Sequence, residues 1–471
     1  MDSLLLVQPA IVPPLDQGFR PAVLGNRAFR EAVRASGRAV PLKIALERRD
    51  GSISVFETEV WPPGCPQAEA NRPYVERLVK FLLWQRGGWK VTIGGPAEVG
   101  EYIRATYAPD GARAFDWQFM GQQVYEKPFT VEVTDVDQVP QEREVSVPLG
   151  RHLNGCRIGF DLGASDRKVS AVVGGEVKFS EEVVWMPRTQ AHPAYHYHQI
   201  QSALHHAASF MPRVDAIGGS AAGVYVNNRV MVASLFRGVP PDLFESQVKD
   251  LFLRIRRDWG GIPLEVVNDG EVTALAGAME LEQEGEEGAR VLGIAMGSDE
   301  AGGYVNAEGN ITGWLNELAF APVDFNPHAR INEWSGDRGC GGEYFSQKAV
   351  IALASAAGIA LDPNQTPAEQ LKAVQELHAR GDERARLIFE TIGCYLGYTV
   401  AHYADFYALR HVLILGRVTS GEGGNLILSR AQEVLQREFP ELAAQITLHL
   451  PDESNRRVGQ SIAAASLPVV E

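Results

Sequence analysis

The stretch Ile158-Gly159-Phe160-Asp161-Leu162-Gly163-Ala164-Ser165, with Lys168 shortly after it, decides how the rest of the chain is read. Residues 156–160 are a short apolar run that breaks into a glycine-centred turn. That is the pattern of a buried strand whose following backbone amides can face an anion. The pattern recurs where residues 291–296 lead into Gly297-Ser298-Asp299 with Gly302-Gly303, and where 411–415 lead into Gly416-Arg417-Val418-Thr419-Ser420-Gly421. Val267-Asn268-Asp269 lies between the first two, after the mostly apolar run 262–267 and before a helical run over 271–281. The ordered loops predict a nucleotide site shared between two lobes.

In that order and spacing the loops resemble the actin, Hsp70 and sugar kinase superfamily, and within it the ROK family (repressors, open reading frames and kinases). Val266-Val267-Asn268-Asp269-Gly270-Glu271 resembles the family's catalytic strand end. Gly309-Asn310-Ile311-Thr312-Gly313 with Asn316-Glu317-Leu318 resembles its sugar-binding region, and Gly336-Asp337-Arg338-Gly339-Cys340 with Ser346 its zinc and substrate segment. Residues 415–424 resemble the adenosine loop, and Gly459-Gln460-Ser461-Ile462-Ala463 the closing helix. No one motif is specific; their order is. The resemblance implies an α/β, two-lobed, actin-like ATPase fold of the ribonuclease H type, with an additional N-terminal α/β domain. It divides the chain into that extra domain (1–150), an N-terminal lobe (151–270), a C-terminal lobe (271–455) and a helix returning to the N-terminal lobe (456–471).

It also implies ATP-dependent phosphorylation of a sugar or sugar-like hydroxyl compound, with ATP and magnesium. Phosphoryl transfer asks a protein mainly for positioning and charge neutralisation. Asp161, at a strand end, is the candidate magnesium ligand. Gly163, Ala164 and Ser165 offer amides and a hydroxyl to phosphate, Lys168 is either a phosphate partner or a solvated strand residue, and Gly297, Ser298, Gly416 and Gly421 complete the ATP loops. The resemblance makes Asp269 the catalytic base and a sugar contact, and gives Asn268 and Glu317 sugar hydroxyls. Read from local pattern alone, Asp269 could simply cap the helix; the base is the favoured reading, and one aspartate can do both.

Two features depart from the family pattern. Asp299-Glu300 places two carboxylates in the second phosphate loop, where they repel a triphosphate unless magnesium or rotation away relieves them. Phe320 stands where the family has a histidine, and Cys340 alone remains of the zinc thiols, so no zinc site is expected. Trp314 is a candidate for stacking on a sugar face or a core residue, and His328 a weak substitute for the lost histidine. The acidic loop keeps an alternative open: a non-catalytic sugar or nucleotide sensor on the same fold.

The chain has 471 residues, 45% of them hydrophobic, enough for two or three domains. A net charge of -15 argues against a nucleic-acid surface, which needs a basic face. No export or membrane signal is read, and Cys65, Cys156, Cys340 and Cys394 are scattered, so reduced thiols in the cytoplasm are expected, with a homodimer as the assembly.

Before the first phosphate loop, residues 26–38 read as one amphipathic helix followed by a strand over 41–46, which argues against a helix-turn-helix. Residues 45–62 and 165–187 run through the same order of elements: hairpin, Val-Trp, a proline loop, a helix (74–85; 198–210) and a strand closing on Ile-Gly-Gly (93–95; 217–219). Two readings stand side by side: a decayed duplicate of the N-terminal lobe without its glycine loop, or a generic hairpin plus helix. The aromatic run 115–119 reads as a cover or dimer surface, and 135–148 as a linker.

Overall fold

The structure is a computed structural model that describes residues 3–144, 149–164, 166–451 and 453–470. The chain forms two compact units: Met1–Val145 with Ile294–Gly302 and Gly313–Leu450, and Ser146–Gly293 with Gly303–Thr312 and Pro451–Glu471. The first 145 residues are therefore not a body of their own. The expected lobe border at 270 also falls inside a helix, Asp269–Gln283, that belongs whole to the second unit.

The N-terminal sheet is built from β1 (Val40–Glu47), β2 (Ile53–Val60), β3 (Lys90–Gly94) and β4 (Thr130–Thr134), in the order β2-β1-β3-β4. The helix before it spans Ala22–Ala35, and a strand follows it directly. The helix Asn71–Arg86 joins β2 to β3 and is buried from Tyr74 to Arg86 on every face, its charged residues included.

The second unit holds β5 (Cys156–Leu162), β6 (Asp166–Val173), β7 (Glu176–Val184) and β8 (Ala216–Ala221). A small hairpin follows, β9 (Val224–Val226) with β10 (Arg229–Val232), and then β11 (Leu264–Asn268). Sheet order is β11-β8-β5-β6-β7. The first three strands form an antiparallel meander, β8 runs parallel to β5, and β11 parallel to β8. This is the ribonuclease H topology. One face, through Ile158, Phe160, Leu162, Val169 and Ile217, packs on Ile200, Ala203, Leu204 and Ala207 of the helix Pro193–Ala208.

The other face receives the C-terminal helix Glu453–Ala465. Gly159 and Gly218 are required there, because a Cβ on either would overlap the Ser461 or Ala464 carbonyl. Side chains alternate along a strand, so two residues beyond those glycines Asp161 and Ser220 emerge on that same face. The remaining sheet, β12 (Val291–Met296), β13 (Glu300–Val305), β14 (His411–Leu415) and β15 (Thr447–His449), has the order β13-β12-β14-β15. It repeats β6-β5-β8-β11, with β14 and β15 parallel. Together these sheets make the actin-like fold.

The repeated order of elements does not produce a repeated N-terminal sheet. β3 runs antiparallel to β1, whereas its counterpart β8 runs parallel to β5. The cause is parity: two strands precede the helix in the first case and three in the second, so the chain emerges from the helix in the opposite direction. The reading of this segment as a decayed duplicate of the N-terminal lobe fails on that strand.

Candidate functional site

Register places the first group of residues. Asp161 on β5 stands opposite Ser220 on β8 and Lys168 on β6. The Ser220 hydroxyl donates to Asp161 Oδ1 at 2.7 Å, and the Lys168 ammonium to Oδ2 at 3.3 Å. Lys168 also stands 3.5 Å from Asp166 Oδ1. Burial alone would lower the Lys168 pKa, but Asp161 and Asp166 hold it above its ordinary value. Lys168 is thus not free in solvent; it is the counter-charge of Asp161. The turn after β5 is closed by the Gly163 N–H on the Asp166 carbonyl at 2.9 Å, while Trp185 Nε1 donates to the Gly163 carbonyl at 2.8 Å. Ala164 is exposed on this turn, and Ser165 lies outside the described residues.

β11 ends at Asn268 and the helix begins at once, which settles the question of the cap. Asn268 is the N-cap: its side-chain oxygen accepts the Gly270 N–H at 2.7 Å, and its amide donates to the Gly223 carbonyl at 2.7 Å. One amide proton and one lone pair of Asn268 are left without a partner among the described residues. Asp269 is the first helical residue, half-buried, with a longer contact of 3.1 Å to the Gly270 N–H. Burial first, and then the charge of Asp161, push its carboxyl up to about 6. A carboxylate in that range accepts a proton near neutral pH and passes it on readily.

The nucleotide-loop candidates lie in the other unit, at the ends of the neighbouring strands β12 and β14. The Gly297 N–H closes on the Asp299 carbonyl at 3.0 Å, the Gly297 carbonyl accepts from the Gln347 N–H at 2.9 Å, and Ser298 is exposed. Gly416 has a φ of 102° and sits where a Cβ would overlap the Met296 backbone. Gly421, with φ 71°, opens the helix Glu422–Glu438, whose first amides have no intrahelical acceptor.

The acidic pair in this loop is relieved by rotation and pairing. Glu300 is 3% exposed and receives the Tyr403 hydroxyl on Oε1 at 3.0 Å. Burial pushes its carboxyl up to about 8, against the Tyr403 hydrogen bond and helped by Asp299, so it is neutral at pH 7. Asp299 is paired with Lys348 at 2.8 Å. Nothing in the sequence pointed to Lys348 or Ser220, because neither sits in a glycine loop; each is reached only through strand register or chain return.

In the same unit, Glu317 is half-buried at the start of a short turn, and its N–H donates to the Trp84 carbonyl at 2.9 Å. Trp314 is half-buried, with Arg86 over its ring at 5.0 Å and the Tyr407 ring at 5.9 Å. His328 is exposed. Phe320 stacks on Trp84 at 4.2 Å, with Phe115 and Phe119 around them, so the aromatic run covers this turn. Cys340 is buried beside Lys80 and Arg77, and its thiol is pushed up to about 12, chiefly by burial. One thiol among cations does not fit zinc, and no cluster of metal-binding side chains occurs among the described residues. Asp161, a carboxylate at a strand end, fits magnesium directly or through water. No helix of the described residues is long and apolar enough to cross a membrane.

No family model and no curated protein matches the chain. Among solved structures it is similar to a ROK family glucokinase from Streptomyces griseus in complex with glucose and AMPPNP. The identity is 21% and the TM-score 0.48, over 66% of this chain and 98% of that one. It is also similar to a ROK hexokinase from Thermus thermophilus, with 18% identity and TM-score 0.48 over 66% and 97% of the two chains. A ROK family transcriptional regulator, a homolog of the E. coli MLC protein, matches at 16% identity and TM-score 0.48 over 67% and 79%. These likenesses include both enzymes and a regulator.

Proposed function

We propose that the chain is a ROK-like kinase that transfers the γ-phosphoryl group of ATP to a hydroxyl of a sugar or sugar-like compound. The observation that carries this reading is a pair of strand-end carboxylates in different surroundings. Asp161 is held by Ser220 and Lys168, while the Asp269 carboxyl is pushed up to about 6 by burial and by the charge of Asp161. A carboxyl raised into that range suits acid–base chemistry near neutral pH.

In this mechanism Asp269 takes the proton of the acceptor hydroxyl as its oxygen attacks the γ-phosphorus. ADP leaves with the bonding electrons, and the proton then passes to solvent. Asn268 presents its remaining amide proton and lone pair to a neighbouring hydroxyl; Glu317, in the other unit, is the second proposed sugar contact. Asp161 would hold a magnesium ion, which would supply charge neutralisation on the phosphates. Gly416 and Gly421 are the amides proposed to orient the nucleotide, whereas the Gly163 and Gly297 amides are taken up within their own turns.

The sensor alternative drew its strength from the acidic loop. Neutral Glu300 and paired Asp299 remove most of that objection. A panel of sugars assayed for ATP turnover, with thermal shift alongside, tests the reading. Turnover of one sugar supports the kinase; stabilisation by one sugar without turnover of any replaces it with the sensor.

A further inference from the structure

The helix Asn71–Arg86 carries Arg77, Lys80 and Trp84 on one stripe, at the three- and four-residue spacing that shares a helix face. All three are buried, and Lys80 is completely inaccessible. Asp337 is the meeting point: Arg77 Nη1 stands 3.0 Å away, Arg113 Nη1 2.8 Å and Lys80 Nζ 3.7 Å. Lys80 donates to both oxygens of Asp116, Trp84 Nε1 donates to Asp116 at 3.0 Å, and Glu76 binds Arg77 and Arg113.

One turn further on, the same helix ends. Its last carbonyls have no partner within the helix, and they take two amides from a distant loop: Asn316 N–H on Gln85 at 2.8 Å and Glu317 N–H on Trp84 at 2.9 Å. Asn316 has φ 49°, a conformation that a non-glycine residue keeps only when its surroundings hold it. The Tyr407 hydroxyl on Asn316 Oδ1 at 2.8 Å is the third restraint.

We infer that the N-terminal segment positions the sugar-contacting loop, its helix Asn71–Arg86 clamping residues 316 and 317 by backbone hydrogen bonds and residue 337 by charge. Arg77, Lys80, Arg113 and Asp337 are positioning residues that act through the backbone of Glu317. The inference rests on the reading of Glu317 as a sugar contact; the clamp itself does not. A mobile Glu317 would weaken sugar binding without touching nucleotide.

Native-state hydrogen exchange on the full chain tests the clamp without substrate. The Asn316 and Glu317 amides are expected to open with the helix, their protection matching that of its central amides within about threefold. Exchange more than about 100-fold faster than the helix overturns the clamp. Arg113→Met, at the exposed rim of the cluster, is expected to raise exchange at 316–317 by about tenfold, and the KM for sugar similarly, with the KM for ATP within about twofold and Arg113→Lys restoring both. A folded Arg113→Met with unchanged exchange at 316–317 also overturns it, and should that variant not fold, the parental exchange decides. Linked exchange in a protein that phosphorylates no sugar removes the kinase reading and keeps the clamp; unlinked exchange in an active kinase does the reverse.

Discussion

Two groups of charged side chains are withdrawn from solvent on opposite terms. Below the helix Asn71–Arg86, Arg77, Lys80 and Arg113 meet Glu76, Asp116 and Asp337, and every member has a partner of opposite sign. At the end of β5, Lys168 stands between Asp161 and Asp166, and the charge of Asp161 in turn bears on the carboxyl of Asp269. The balanced group is a fastening: removing a charge from it leaves another buried and unpaired. The unbalanced group strains one carboxyl toward protonation, and such strain is kept where a proton or a metal ion has work to do. The two groups also differ in how their members arrive. The balanced one draws on one helix face and two remote loops, the unbalanced one on the ends of adjacent strands.

If the comparison is right, the largest effect falls on the unbalanced side. Asp269→Asn is expected to lower turnover about 100- to 10,000-fold, roughly 2.7 to 5.5 kcal/mol of barrier, with melting temperature nearly unchanged because Asn268 carries the cap. Parental turnover of a confirmed substrate by that variant would remove Asp269 from the chemistry. In the parent, a base whose pKa is raised to about 6 must be ionised to act, so kcat/KM should fall with pH below about 6 and flatten above it.

On the balanced side, Lys80→Met strands Asp116 and is expected to cost about 3 to 5 kcal/mol of stability in denaturant unfolding. Lys80→Met combined with Asp116→Leu should recover much of that loss, since an apolar pair replaces an ion pair at little net cost. A single variant as stable as the parent would show that the cluster is not a fastening.

Glu300 is the intermediate case, a lone carboxyl that stays neutral. Its folded pKa of about 8 lies above the unfolded value, so the stability it contributes is present in acid and lost as pH rises through 8. Glu300→Gln keeps an acceptor for Tyr403 and cannot ionise, so it should match the parent near pH 4 and exceed it above pH 8, by an amount on the order of 5 kcal/mol. Equal pH dependence of the two proteins in urea would deny the assignment. The smallest effect is expected from Asn268→Ala, about 1 kcal/mol for a lost cap, measured by the same unfolding. A loss much smaller than that would return the cap to Asp269.

The sequence by itself determined the strands that end in glycine loops and their order. Runs 291–296 and 411–415 are β12 and β14 end to end, and Gly159 and Gly416 stand where close backbone approach forbids a side chain. These are local consequences of apolar runs and of glycine's missing Cβ, so they are legible one residue at a time. Asp161 and Asp269 were legible for the same reason, each following directly from a strand end. Tertiary structure alone decided the partners. Ser220 and Lys168 reach Asp161 through register, Lys348 reaches Asp299 by chain return, and Glu300 turns inward to Tyr403, which lies more than a hundred residues away. It also decided the fate of the N-terminal segment: the order of elements suggested a second lobe, but two strands instead of three reverse β3 and make a different sheet. Strand direction depends on the count of all the elements before it, and ion pairing on which distant segments meet, and neither is written in any local stretch of the chain.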